Sequence, residues 1–179
     1  MTIDKADAAA ALGDIDEVIA RLKQSQIYRT TSTMLIMWGG IVTGGYVLEW
    51  LTPRTSGWTW LLCQLGGLAM TIVISVRQPR RYDLRIAGAL ALFIGFGLLW
   101  CIVFGKFGPR ELDAFWATFF MLGYTIAGLW FGRAFIAIGL TITALTVAGY
   151  LWAGPWFTPY MAVVNGGGLI LCGLCMRRA

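Results

Sequence analysis

Few residues in this chain could do chemistry, and their spacing narrows the choice further. Cys172 and Cys175 form a CxxC, the spacing of redox dithiols and of half a zinc site. They fall near the end of the last apolar run, where a helix dipole opposes a thiolate instead of favouring it, an effect that Arg177 and Arg178 partly offset. Two thiols do not complete a tetrahedral metal site, and the chain has no histidine to supply the rest. The missing histidine also removes imidazole haem ligation, histidine general bases and Ser-His-Asp triads. The sequence therefore predicts no metal, no cofactor and no enzymatic activity. Cys63 and Cys101 fall at comparable depth in neighbouring apolar runs, where they are either small apolar fillers or a disulfide.

The remaining polar residues at membrane depth are amides and hydroxyls. An amide in hydrocarbon is costly unless paired, so Gln64 and Asn165 are expected to face protein. Asn165 leads directly into Gly166, Gly167 and Gly168. Two readings stand: a helix contact closed by an interhelical hydrogen bond, or a locally unwound segment whose carbonyls meet an ion or solute, with Gln64 beside it. Charge-moving transporters usually place a carboxylate or lysine deep in the membrane. Glu49 comes closest, one turn from the end of the first run beside Trp50, and reads as a rim residue.

What must position these residues is a membrane bundle. Apolar residues make up 58% of the 179 positions and charged residues 13%, against about 25% charged in soluble domains. Six apolar runs of about 20 residues, enough to cross roughly 30 Å of hydrocarbon, occupy 33–52, 57–76, 84–104, 112–131, 134–153 and 156–176. The fold class is all-α: six transmembrane helices over residues 30–179 and a short cytosolic segment over 1–29. A five-span alternative fuses 112–153 into one bent element.

Placing the N-terminus in the cytoplasm leaves only Arg54, Lys106 and Arg110 outside. It puts Arg21, Lys23, Arg29, Arg133, Arg177, Arg178 and the loop arginines Arg77, Arg80, Arg81 and Arg85 inside, as the positive-inside rule requires. Most tryptophans then fall near the outer interface. Both termini are expected in the cytoplasm. The net charge of +5 is explained by these flanking arginines, which meet anionic lipid, and not by nucleic acid. About 30 polar and acidic residues precede the first run, unlike a secretory signal.

Residues 14–29 read as an amphipathic helix. Asp14 and Glu17 have capping-box spacing, and Glu17 and Arg21 stand four apart. Gly13 separates this helix from an Ala-rich piece, and Ile15, Val18, Ile19 and Leu22 form its stripe. That stripe either lies on the membrane surface or docks a partner or a second copy. Within the membrane, Gly40 and Gly44 are spaced for close helix packing, inside the bundle or between copies.

The sequence resembles small, uncharacterised bacterial inner-membrane proteins in its Trp38-Gly39-Gly40 element, its Gly128-Leu129-Trp130-Phe131-Gly132-Arg133 junction and its Met176-Arg177-Arg178 ending. The resemblance covers the layout of the whole chain, implies a multi-span inner-membrane location and brings no assigned activity. The expected function is a non-enzymatic accessory, regulatory or scaffolding protein that contacts membrane lipids and a protein partner or a second copy. The alternative is a small transporter or channel for an ion or a weakly polar solute.

Overall fold

The computed structural model describes residues 5–76, 84–103 and 105–178, and every regular element among them is helical. Helix α1 (Lys5–Leu51) runs unbroken for 47 residues, about 70 Å at the rise of an α-helix. Gly13 lies inside it and divides nothing, and Asp14 is an interior position instead of a cap. A single glycine costs about 1 kcal/mol relative to alanine, and the alanines before it and the long side chains after it sustain the helix across that point. The expected separation into a cytosolic helix and a first span is thus replaced by one continuous element.

Pro53 opens a 3₁₀ turn (Pro53–Thr55) that reverses the chain into α2 (Ser56–Val76). Helix α3 covers Leu84–Val103 and α4 covers Pro109–Phe131, with proline in its first turn, where no amide hydrogen is needed. The tight junction into α5 (Arg133–Trp152) is made by Gly132 at φ 125°, a conformation that a side chain would strain. After a second 3₁₀ turn at Gly154–Trp156, the final rod consists of α6 (Phe157–Met161), a π-helical turn (Ala162–Gly167) and α7 (Gly168–Arg178).

Five stretches are long and apolar enough to cross a membrane: Tyr28–Leu51, Pro53–Val76, Pro109–Phe131, Arg133–Trp152 and Gly154–Arg177. Gly88–Val103 of α3 is apolar but shorter. This is the architecture of a helical membrane protein.

The core lies among α1, α4, α5 and the final rod. Along α1 the buried positions Ser32, Leu35, Gly39, Tyr46 and Glu49 recur with the three-four alternation of a heptad stripe. The final rod runs antiparallel to α1, and both present small residues at the contact. A Cβ on Gly173 would stand 2.9 Å from the Ser32 carbonyl oxygen, and one on Gly39 would stand 2.8 Å from that of Gly166. The Ser32 hydroxyl donates to the Gly173 carbonyl at 2.6 Å, which ties the backbones together. Helices α4 and α5 form a second close pair, with Gly128 pressed against the backbone of Ile136 and Gly139 against that of Met121.

Helices α2 and α3 are peripheral. Trp38 of α1 lies over Gly67 of α2, and its indole donates to Thr71 at 3.1 Å. Phe93 anchors α3 by stacking on Phe119 with centroids 4.1 Å apart.

Candidate functional site

The richest polar chemistry gathers at the end of the bundle where α1 stops and α4 begins. Glu49, expected at a solvated rim, is buried at 6% exposure. The heptad stripe of α1 turns it inward, and the 3₁₀ turn after α1 brings the start of α2 back over it. Its Oε1 accepts from the Ser56 hydroxyl, and its Oε2 accepts from the Trp60 indole at 2.9 Å. Both carboxylate oxygens therefore have donors, which offsets the cost of burying the group.

One turn down α1, Tyr46 packs edge-on against Trp60 with centroids 4.8 Å apart. Its phenol lies within interaction range of the Asn165 side chain in the π turn. Asp113, in the first turns of α4, stands within electrostatic reach of both Glu49 and Tyr46. Two carboxyl groups, a phenol and an amide from α1, α4 and the final rod thus share one region.

A cation at the start of α4 takes another route. The Arg110 guanidinium donates to the Tyr150 carbonyl and lies over the rings of Tyr150 and Phe157, 5.0 and 5.2 Å from their centroids. Tyr150 in turn donates to Glu111 at 3.3 Å. Arg110 is held by aromatic faces and a carbonyl, and its Nε is buried without a partner among the described residues. No ion pair joins it to Glu49 or Asp113. On α5, Thr146 is fully buried and its hydroxyl likewise finds no partner among the described residues.

The π turn falls on Asn165, Gly166 and Gly167, the segment for which the sequence leaves open either a packed helix contact or a locally unwound stretch. π turns are rare and concentrate at functional sites. Here the glycines are occupied with packing. A Cβ on Gly166 would stand 2.7 Å from the Thr43 backbone nitrogen, so α1 passes directly over it. The Thr43 hydroxyl donates to its own helix at Gly39 (2.8 Å) and reaches the Ala162 carbonyl at 3.5 Å. Gly168 meets Ile142 of α5 at ordinary contact distance.

Gln64 does not join this group. It is exposed on α2, whereas Asn165 is buried against α1, so the amides expected to share a site are apart. Gly40 and Gly44, expected at a packing face, have nothing within 4 Å of the position a Cβ would take and present an open surface. Of the α1 stripe, Val18 is exposed, while the side chains of Ile15, Ile19 and Leu22 lie outside the described residues. So do those of Arg77, Arg80, Arg81 and Arg85. All four cysteines are free. Among the described residues no three Cys, His, Asp or Glu side chains converge as a metal site would need.

Sequence reasoning missed Tyr46, Trp60, Arg110 and Asp113, and misplaced Glu49. The signal that finds Glu49 is the heptad stripe from Ser32, which continues through Tyr46 to it. Comparison with known proteins gives no match to a family, a curated protein or a solved structure.

Proposed function

We propose that this chain is a non-enzymatic membrane protein that acts through contacts, with the N-terminal part of α1 as its docking element. The observation that carries this reading is the continuity of α1: residues 5–27 extend the helix about 35 Å beyond the start of its apolar stretch at Tyr28. A partner held on that extension is joined to the bundle without a hinge. Gly44 of α1 and Gly88 and Gly95 of α3, open to the outside, offer further surface for helix association.

The arginine distribution supports six spans with both termini in the cytoplasm of a bacterial inner membrane, α3 being the sixth span. Affinity capture of the full chain and of a form lacking residues 1–26, both in mild detergent, tests the proposal. The full chain should retain a stoichiometric protein that the shortened chain loses. Identical protein profiles for the two would overturn it.

A second reading is movement of a proton or small cation, favoured by the proximity of Glu49 and Asp113 without a paired cation. Proteoliposomes holding the chain should then show ion flux that Asp113→Asn reduces at least tenfold. Flux no greater than in empty vesicles would dismiss this reading.

A further inference from the structure

Between α1 and α2 lies an open groove of about 580 Å³. Its floor is Gly40, where no atom stands within 4 Å of the place a Cβ would take. Its walls are Ile36 and Ile41 from α1 and Met70 and Ile74 from α2, all apolar. Polarity enters only at one end, with Thr33 and Arg177.

The groove lies within the membrane-crossing part of both helices. From Thr33 to Ile41 it follows α1 for about 12 Å, most of the depth of one leaflet's hydrocarbon. Apolar walls that end at a hydroxyl and a guanidinium match a phospholipid, acyl chain inward and phosphate at the surface. Arg177 is exposed and, among the described residues, has no hydrogen bond or ion pair. Arg29 adds a second cation: it is exposed one turn before Thr33, whose hydroxyl donates to the Arg29 carbonyl at 3.1 Å.

We propose that this groove holds one anionic phospholipid, with an acyl chain over Gly40 and the phosphate on Arg177, supported by Arg29. Guanidinium groups bind phosphate through paired hydrogen bonds, and a leaflet rich in anionic lipid supplies the ligand. A helix from a second copy fits less well. The described charged side chains at this end, Arg29, Arg133 and Arg177, are all basic, so a second copy would set like charges together.

The test uses the full chain in nanodiscs of phosphatidylcholine with and without phosphatidylglycerol, and reads retained lipid by native mass spectrometry. The wild type should keep one phosphatidylglycerol in preference to phosphatidylcholine. Arg177→Gln should cut that preference about fivefold, the factor equivalent to about 1 kcal/mol for one arginine at an anionic surface. Gly40→Leu should abolish retention with an unchanged melting temperature in detergent, because its side chain enters open space. Met70→Trp fills the groove from the other wall and should act the same way, so the test survives if Gly40→Leu fails to fold.

Equal retention of the two lipids, or retention unaltered in Arg177→Gln and in both filling variants, would overturn the proposal. A dimer that the filling variants convert to a monomer with lipid retention unchanged would also overturn it, and would assign the groove to a second copy. None of these outcomes depends on the projecting part of α1.

Discussion

The Trp60 indole donates to Glu49 at 2.9 Å, and through this bond α2, otherwise peripheral, takes part in holding a carboxylate inside the bundle. The bond also orients the ring that Tyr46 meets edge-on, so one tryptophan serves the polar cluster and the core at once.

Trp60→Phe keeps the aromatic contact with Tyr46 and removes the donor. One buried oxygen of Glu49 is then unpaired, which should cost about 1–3 kcal/mol in equilibrium unfolding in mixed micelles. Glu49→Gln should cost less, because it keeps an acceptor and removes the charge. A Trp60→Phe variant as stable as the parent would mean that water replaces the indole.

Gly166 and Gly44 should respond in opposite ways to added bulk. Gly166→Ala sets a Cβ against the Thr43 backbone and should cost about 1–3 kcal/mol as the helices separate. Gly44→Leu meets nothing in the single chain and should leave its thermal stability unchanged. Equal effects of the two, by thermal melting in detergent, would refute the assignment of these faces.

Asn165→Leu removes the buried amide that stands beside the Tyr46 phenol. Its expected cost is about 1–2 kcal/mol, the range for an interhelical hydrogen bond in membrane helices. Combining it with Tyr46→Phe should add little if the phenol and the amide satisfy each other, since the two substitutions then remove the same interaction. Fully additive losses would show that the two side chains act apart.

Reporter fusions after Ala179 and within residues 76–85 should read cytoplasmic, and fusions beside Arg54 or Gly154 periplasmic. A periplasmic C-terminus would overturn the six-span arrangement and leave α3 outside the set of spans.

Hydropathy made the helices legible because a membrane span is set by length and apolarity alone. The expected run at 112–131 and the observed α4 at Pro109–Phe131 differ only by the first turn, and the run at 134–153 matches α5 within one residue. The π turn was legible only in part: Asn165 and the glycines after it hold α-helical geometry weakly, but the same residues read equally as a packed, continuous helix. The site was less so. Pairing Gln64 with Asn165 assumed that polar residues at membrane depth seek each other, but Gln64 lies on the outward face of a peripheral helix. Glu49 was read from its distance to the end of the span instead of its phase on α1. Asp113 and Arg110 gave no signal at all, since their neighbours come from helices distant in sequence.

The unbroken course of α1 also has a mechanical meaning. A rod anchored along half its length in the bundle is a lever arm, with its fulcrum near Tyr28. A tilt of about 5° in the membrane would carry the far end sideways by about 3 Å, given an arm of about 35 Å. Because Tyr46 and Glu49 ride on the same rod, any load on its N-terminal arm exerts torque on the polar cluster at the opposite end.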